Sequence, residues 1–265
     1  QVDVINEIPI GIKGSLSSGF ITQETVNVMN ENLIKEIKKR FEPKGSIALI
    51  DLGVGPCVKP ITLLPELTPI YSTVEYIAVD YSEKVLESAQ KCIERYNFSS
   101  LRPRYISVNF HSLNENPNTI HSKIISDKRV YLFLGGTYGN FEPYESKRFI
   151  ESLLSKGDIF VIDSELNMAP MTPEKFIVRK KEKMVKWRMT PLYEIGFYNS
   201  DLDIDYRFNL EKSQIEQIAI IKRIPDELPN KVIQIGLQVG DKIKMSFSRK
   251  PAFETFKKEI ETINP

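Results

Sequence analysis

Cysteine, histidine and tryptophan are scarce in this chain of 265 residues, which contains two, two and one of them respectively. Two cysteines (Cys57 and Cys92) are too few for a disulfide framework, so we expect a reducing compartment and predict a cytoplasmic protein. The two histidines add few further metal ligands, and we therefore predict no zinc or other metal site.

The chain also lacks an excess of charge of either sign and a long apolar run. Lys and Arg number 36 against 35 Asp and Glu, which gives a formal net charge of +1. The overall charge of the chain therefore does not favour nucleic acid or an anionic membrane as a partner. No apolar stretch reaches the ~20 residues that span a bilayer, and no signal peptide is visible.

Apolar segments alternate with helical patterns in the first part of the chain. Helical spacing of apolar residues, with Thr22 as a candidate N-cap, predicts a first helix over 22–41. Strands are then predicted at 46–52, 75–80, 104–110, 129–135 and 157–164, and the helices between them at 61–64, 82–96 and 143–155. Strands that are apolar nearly throughout are typical of a parallel sheet covered on both faces. The pattern predicts a doubly wound α/β core.

After Ser164 the alternation ends. Two β-like runs, 213–224 and 231–248, the second broken at Gly240-Asp241, predict a mostly antiparallel insertion, and a short helix follows at 251–262. We therefore divide the chain into an irregular leading segment on the substrate side, a core, an inserted substrate or lid subdomain, and a C-terminal helix that returns to the core (1–24, 25–165, 166–248 and 249–265). A closing strand or hairpin is expected after that helix, so a truncated chain stays one of the open expectations.

The first predicted strand ends in the sequence Asp-Leu-Gly-Val-Gly-Pro-Cys, residues 51–57. In an open α/β sheet, ligands bind beyond the carboxyl ends of the strands, next to the point where the strand order reverses. Glycine at 53 and 55 lets the backbone pass close to a ligand that a Cβ atom would exclude. The same sequence is also compatible with a plain turn after a buried strand.

Asp80, at the end of the second predicted strand, favours the ligand. A carboxylate at this position accepts hydrogen bonds from both hydroxyl groups of a ribose. The alternative is a capping role, since Ser82 and Glu83 indicate the start of a helix. The order strand, Gly-x-Gly, helix, strand, Asp together predicts a ligand that contains adenosine.

Two residues decide between the adenosine ligands. The dinucleotide fingerprint requires a third glycine and free helix amides around a pyrophosphate. Here Val58 occupies the third position and Pro56 removes an amide donor. Lys59 suits a carboxylate as well as a phosphate. S-adenosylmethionine has a ribose and a carboxylate but no phosphate, and it fits better.

Three segments resemble one known family: DLGVGPCVKPITLL (51–64), AVDYS (78–82) and FLGGTYGNF (133–141). They are similar to the histidine-specific Nα-methyltransferases of ergothioneine biosynthesis and to related amino-acid N-methyltransferases, over about residues 40–165. The resemblance implies a Rossmann-like class I methyltransferase core that uses S-adenosylmethionine and releases S-adenosylhomocysteine. It also implies a small, amino-acid-like substrate, and it leaves a homo-oligomer open.

The resemblance assigns cofactor contacts to a set of residues at the strand ends. Gly53 and Lys59 would hold the methionine end, Asp80 the ribose, and Asn109 and Phe110 the adenine. Asn109 stands where the family usually has Asp. The full set is Asp51, Gly53, Gly55, Lys59, Asp80, Tyr81, Asn109, Phe110 and Gly135.

Substrate contacts are also implied by the resemblance. Asn140 and the Gly135 backbone would face the amino and carboxylate groups of an amino acid. Glu165 is not part of the resemblance: it is the nearest acid by topology, since it follows the fifth predicted strand, and it would help to orient the amine. The alternatives are a turn residue for Asn140 and a solvated loop acid for Glu165. The predicted catalytic residues are therefore Asn140 and Glu165, and the predicted substrate contacts are Phe20, Gly135, Tyr138, Asn140, Ser246 and Ser248.

The chain departs from the family on the substrate side. In the family, the glutamate and the serine of a Glu-x-Ser sequence bind the imidazole of the substrate. This chain has Ser246-Phe247-Ser248 there, so the serine is present at 248 and the carboxylate is absent at 246. A tyrosine of the leading segment is replaced by Phe20. Since a site that hydrogen-bonds a polar group discriminates by kilocalories, these changes count against histidine itself. A second substrate tyrosine has three candidates in the insertion: Tyr193, Tyr198 and Tyr206.

Other functions stay open at this stage. The basic run RKKEKMVKWR (179–188) would suit RNA or protein as a methyl acceptor, although the solvated face of a helix, with Met184 and Trp187 packed inward, explains it better. A non-catalytic subunit that binds the cofactor beside a partner is a third class. From the resemblance we predict an N-methyltransferase of an amino acid or related small amine. Transfer from a sulfonium needs mainly orientation and a neutral amine, so no strong general base is expected.

Overall fold

The computed structural model describes residues 23–55, 58–113, 116–134, 136–164, 166 and 182–263. The chain forms two compact units, one of residues 1–164 with 257–265 and the other of residues 165–256. Thr22, Phe20, Gly135 and Glu165 lie outside the described residues. The division of the chain into four segments, at 1–24, 25–165, 166–248 and 249–265, stays a prediction.

The first unit alternates strands with helices along the chain. Its elements are α1 (Gln23–Arg40), β1 (Ser46–Leu52), α2 (Val58–Leu67), β2 (Thr73–Asp80), α3 (Glu83–Ile93), β3 (Leu101–Ser107), α4 (Phe110–Leu113), α5 (Asn118–His121), β4 (Arg129–Phe133), a 3₁₀ turn (Thr137–Asn140), α6 (Pro143–Leu153) and β5 (Ile159–Ile162).

The five strands form one parallel sheet in the order β3-β2-β1-β4-β5. The chain runs outward from β1 to β3, then crosses back to place β4 on the other side of β1. The strand order therefore reverses between β1 and β4, and the carboxyl ends of these two strands flank the crevice where such sheets bind ligands.

Burial explains why these segments form a central sheet. Residues 47–52 of β1 and 74–79 of β2 are buried throughout, as expected for strands covered on both faces. Helix α3 buries Leu86, Ala89 and Ile93 at helical spacing, and Val85 packs against the same core. The prediction of a doubly wound α/β core is confirmed.

The second unit contains an antiparallel sheet of three strands, β6 (Leu202–Asn209), β7 (Gln214–Ile221) and β8 (Lys242–Arg249), with β7 in the middle. Its core is formed by apolar residues of a helix and of the sheet, among them Met189, Leu192, Ala219 and Ile221. The remaining elements of the chain are α7 (Glu182–Glu194), a 3₁₀ turn (Asn199–Asp201), α8 (Asn230–Ile233) and α9 (Phe253–Glu261).

The structure corrects one predicted strand and shortens others. Residues 231–239 are not a strand: α8 follows Pro229, and β8 begins only at Lys242. Glycines at 236 and 240 have positive φ, which interrupts an extended chain. The strands predicted at 104–110, 129–135, 157–164 and 213–224 end earlier, at 107, 133, 162 and 221.

The basic run is helical where it is described. Helix α7 includes its last seven residues, 182–188, although the side chains of Met184 and Trp187 lie outside the description.

None of the described helices has the length and apolar character that a bilayer crossing needs. Within the same residues, no group of three or more His, Cys, Asp or Glu side chains is placed to hold a metal ion.

Candidate active site

The turn after β1 is held against the end of β2. The backbone amides of Gly53 and Val54 both donate to the carbonyl oxygen of Val79, at 2.8 and 3.3 Å. Gly53 has φ +76° and Gly55 has φ +50°, a left-handed conformation that side chains disfavour. These angles explain why both positions are glycine, as the alternative of a turn after a buried strand requires, and they leave the approach of a ligand open.

Space around the two glycines differs. A Cβ atom on Gly53 would lie 3.5 Å from Thr137 Oγ1 and 3.7 Å from the ring of Phe110. Among the described residues, which exclude 56 and 57, a Cβ on Gly55 would come within 4 Å of one group, the carbonyl oxygen of Gly53 at 3.8 Å. The first glycine thus lies where segments following β3 and β4 approach β1.

Asp51 and Asp80 occupy neighbouring strand ends but differ in their surroundings. Asp51 is buried in β1, and its Oδ2 accepts a hydrogen bond from the Tyr76 hydroxyl at 3.0 Å. Asp80 ends β2 and is half-buried, and its Oδ1 accepts from the Ser82 amide at 3.0 Å. The predicted helix start at Ser82 and Glu83 is confirmed, and Asp80 contributes to it with one of its two oxygens.

Phe110 belongs to an aromatic cluster rather than to an isolated platform. Its ring centroid lies 5.5 Å from that of Phe149, 6.1 Å from Phe133 and 6.5 Å from Phe141. This packing fixes the ring at the start of α4, near Gly53. Asn109 precedes it with an exposed side chain, and its carbonyl oxygen accepts from both the amide and the hydroxyl of Ser112.

The segment after β4 forms a tight turn. Gly136 has φ +73°, and its amide donates to Asp163 Oδ1 at 2.8 Å, which connects it to the end of β5. Asn140 ends the 3₁₀ turn with an exposed side chain. We did not predict Asp163 from the sequence. Its place after a buried strand, next to the parallel strand that carries Gly136, is the signal that could have identified it.

Tyr138 lies in the same turn but faces inward. Its ring is 2% exposed, and its hydroxyl donates to Glu259 Oε2 at 2.7 Å. The predicted substrate contact of Tyr138 is not tested and stays a prediction, and its hydroxyl has a protein partner in this structure. Tyr81, predicted at the cofactor, is 74% exposed.

The structure thus brings together one group of the predicted residues. Asp51, Gly53, Gly55, Asp80, Tyr81, Asn109, Phe110, Tyr138 and Asn140 all lie at or just beyond the carboxyl ends of β1 to β4. Lys59 is on α2, and its side chain lies outside the description.

The other predicted residues belong to the second unit. Ser246 is on β8 opposite Gln217, and the Ser248 hydroxyl accepts from Lys250 Nζ at 3.0 Å. Of the three candidate tyrosines, Tyr193 bonds to Asn199, Tyr198 is exposed, and Tyr206 is half-buried, so that burial raises the pKa of its hydroxyl. Their substrate roles stay predictions.

The residues present fit S-adenosylmethionine at the β1 turn. The turn exposes a backbone without side chains at 53 and 55, and the second oxygen of Asp80 can accept from ribose hydroxyls. The neighbouring ring of Phe110 is apolar, as an adenine site requires.

Solved structures resemble the chain at low identity. A putative rRNA methylase from Clostridium thermocellum is 13% identical over 68% of this chain and 87% of its own, with a TM-score of 0.35. The magnesium protoporphyrin IX methyltransferase of Synechocystis, solved with bound S-adenosylhomocysteine, is 14% identical over 51% and 56%, with a TM-score of 0.33.

A third structure, the cyclopropane synthase MmaA2 from Mycobacterium tuberculosis, is 12% identical with a TM-score of 0.32. That match covers 47% of this chain but only 39% of the synthase. A search of curated proteins finds no significant match.

The family comparison covers nearly the whole chain. The matching family is described as histidine-specific methyltransferase, SAM-dependent, and its model matches residues 20–264. The resemblance inferred from the three sequence segments is therefore confirmed, with S-adenosylmethionine as the cofactor of the family. The chain belongs to the SAM-dependent, histidine-specific methyltransferase family.

Proposed function

We propose that this protein transfers a methyl group from S-adenosylmethionine to the nitrogen of an amino acid or a related small amine. The observation that supports this most is the placement of two different turns at one crevice. The glycine turn after β1 is bonded to Val79, next to Asp80, and the turn after β4 presents the exposed side-chain amide of Asn140.

The cofactor half of the proposal assigns one task to each group. Asp80 accepts from the ribose hydroxyls with the oxygen that does not bond to Ser82, and Gly53 and Gly55 leave room for the methionine part. Lys59 pairs with the methionine carboxylate. Bound S-adenosylmethionine supplies a methyl group that its positive sulfur already activates, so the protein needs no strong acid to start the reaction.

The substrate half of the proposal depends on Asn140. A carboxamide carries both a donor and an acceptor, so one side chain can bind the carboxylate and the amino group of the same amino acid. Asp163 holds Gly136 at the start of the turn and so fixes the direction in which Asn140 points. An acceptor held in line with the transferred methyl group gains much of its rate from orientation alone.

The electron and proton balance of the transfer is simple. The lone pair of a neutral amine forms the new N–C bond, the S–C bond breaks, and its electron pair stays on sulfur. The substituted amine then loses a proton to water or to a nearby base. Glu165 is our candidate for orienting the amine before this step.

The acceptor is proposed to be an amino acid other than histidine. In the family pattern a carboxylate reads the imidazole, and Ser246 occupies that position here. A hydroxyl offers a weaker and uncharged contact, so it does not favour an imidazolium as a carboxylate does. Ser246 and Ser248 are then contacts for a less demanding side chain.

Methyl transfer to a panel of acceptors tests the proposal. The protein is incubated with S-adenosylmethionine and, separately, with each standard amino acid and several simple amines, and products are detected by mass spectrometry. We expect one or a few non-histidine compounds to gain methyl groups. Transfer to no compound, by protein that binds S-adenosylhomocysteine, would contradict the substrate class and favour a macromolecular acceptor or a non-catalytic role.

Two variants refine the same assay. Asn140→Ala should lower turnover roughly 100-fold while S-adenosylhomocysteine affinity stays the same, because misplacement of a substrate by an ångström has an effect of this size. Arg148→Ala, an exposed change on the neighbouring helix α6, is the control and should leave both unchanged. Equal loss of affinity and turnover in Asn140→Ala would count against its substrate role.

A further inference from the structure

The hydrogen bond between Tyr138 and Glu259 joins residues far apart in the chain. The Tyr138 hydroxyl donates to Glu259 Oε2 at 2.7 Å, and the two residues are 121 positions apart. Tyr138 lies in the 3₁₀ turn after β4, whereas Glu259 lies in the last full turn of α9. The contact therefore attaches the end of the chain to the turn that carries Asn140.

The C-terminal part of α9 and the residues that follow it, 257–265, belong to the same compact unit as the parallel sheet. Ile263, just beyond the helix, is buried at 6% exposure, and it lines a cavity of about 160 Å³ together with Tyr138, Glu259 and Lys147. None of the residues of α9 is buried, so Ile263 is the buried anchor of this segment, and Glu259 itself is half-buried.

The two partners differ in burial: Tyr138 is buried, whereas Glu259 is half-buried. A hydrogen bond from a phenol to a carboxylate is short and directional. A contact of this kind specifies where the Tyr138 ring lies.

The turn is consequently held from two sides. Asp163 fixes Gly136 at its beginning through the backbone amide, and Glu259 fixes Tyr138 in its middle through the hydroxyl. Asn140 follows Tyr138 by two residues, and its side chain is exposed. A shift of Tyr138 would be passed on directly to Asn140, because the intervening residue is part of the same 3₁₀ turn.

We infer that Glu259 is a positioning residue, which acts through Tyr138 to hold Asn140 in the orientation that the methyl acceptor requires. This inference rests on the proposed function, since it takes Asn140 as a substrate contact. It gives the C-terminal helix a part in the reaction although its own side chains do not touch the substrate.

Three variants separate this role from a general effect on folding. Glu259→Ala removes the acceptor, Tyr138→Phe removes the donor but keeps the ring, and Glu259→Gln keeps an acceptor oxygen. Lys147→Ala, which changes another residue of the same cavity, is the control. Turnover and the Michaelis constant are measured with the acceptor that the panel identifies, and cofactor affinity is measured with S-adenosylhomocysteine.

We expect Glu259→Ala and Tyr138→Phe to lower kcat roughly tenfold or more through loss of orientation. The affinity for S-adenosylhomocysteine should stay within about threefold, and Glu259→Gln should recover most of the activity. The double variant should be no worse than either single one, because both remove the same interaction. Unchanged kcat in Glu259→Ala, or strictly additive losses in the double variant, would overturn the inference.

An NMR measurement decides the matter independently of any acceptor. In Glu259→Ala the resonances of the Gly139 amide and of the Asn140 side chain should shift or broaden, while those of Gly53 and Gly55 stay in place. Resonances of the 137–140 turn that do not respond would overturn the positioning role. A response in protein that methylates nothing would support the coupling and locate the failure in the proposed function.

Discussion

The backbone amide of Gly136 donates to the carboxylate of Asp163, with 2.8 Å between N and Oδ1. The two residues follow neighbouring parallel strands, and Gly136 has a positive φ that leaves its amide turned toward the end of β5. The bond therefore fixes the start of the turn that ends at Asn140.

We predict that Asp163→Ala lowers methyl transfer roughly 10- to 100-fold, because the turn loses one of its two anchors. Asp163→Asn keeps an oxygen that can accept from Gly136 and should retain most of the activity. Steady-state kinetics on the three proteins test this, with S-adenosylhomocysteine affinity as the control. Equal turnover in Asp163→Ala and the unchanged protein would show that the turn does not need this bond.

A buried carboxylate near the opposite end of the sheet has a structural role. Glu75 in β2 is 2% exposed, accepts from the backbone amides of Ile125 and Ser126, and pairs with Arg104 at 3.3 Å. Glu75→Ala leaves two amides without their acceptor and should lower the free energy of unfolding by about 3 kcal/mol.

Urea unfolding measures the effect of Glu75→Ala. Glu66→Ala, an exposed change on α2, is the control and should change the free energy by less than about 0.5 kcal/mol. A loss in Glu75→Ala as small as that of the control would mean that water replaces the carboxylate without cost.

Acid should weaken the second unit through Asp201. Its carboxylate has no exposed surface and accepts from the Tyr198 amide and from Arg223 Nε, each at 2.8 Å. The Tyr198 amide, followed by Arg223 and Ser200, holds the pKa of Asp201 below its ordinary value. The folded state therefore favours the ionised form, and this stabilisation is lost as the pH falls below the unfolded value of about 3.9.

Thermal unfolding of Asp201→Asn at several pH values tests that sign. At pH 7 the variant should melt several degrees below the unchanged protein, and the gap should narrow as the solution is acidified below the unfolded pKa. Asp203→Asn removes an exposed ion pair with Lys222 and should have little effect. A gap that is constant with pH would show that the Asp201 charge does not matter.

Gln217 offers a prediction of the opposite sign. It is 1% exposed in β7, and its amide nitrogen and oxygen have no hydrogen-bond partner among the described residues. An apolar side chain of similar size removes two unsatisfied polar atoms, so Gln217→Leu should raise the free energy of unfolding by about 1–2 kcal/mol. Gln217→Ala leaves a cavity and should give no such gain. A destabilised Gln217→Leu protein would mean that the amide is satisfied in solution.

The parallel core could be predicted from the sequence because its signals are local. Runs such as 47–50 are apolar without interruption, and β1 is buried as this composition requires. The glycine turn and Asp80 were found for the same reason: they follow buried strands directly, and parallel strands bring their carboxyl ends to one edge.

Contacts between distant segments could not be predicted in this way. Glu259 has no local signal that directs it to Tyr138, because a polar residue on an amphipathic helix is ordinarily solvated. The prediction of a strand over 231–239 was wrong for a different reason. Its apolar residues Ile233, Ile235 and Val239 are exposed, so the apolar composition of this run does not reflect burial in a sheet. Burial, which decides both cases, depends on the tertiary fold.

Titration of S-adenosylhomocysteine into the unchanged protein and into Asp80→Asn tests the central claim most directly. Asn at this position keeps an oxygen that can accept from Ser82, so the start of α3 is preserved, but the charge that would bind the ribose hydroxyls is lost. We predict micromolar binding that weakens roughly 10- to 100-fold in the variant at an unchanged melting temperature, as expected when a charged hydrogen bond is lost. Equal affinity in the two proteins, or no binding to the folded unchanged protein, would contradict the assignment of this strand edge to the cofactor.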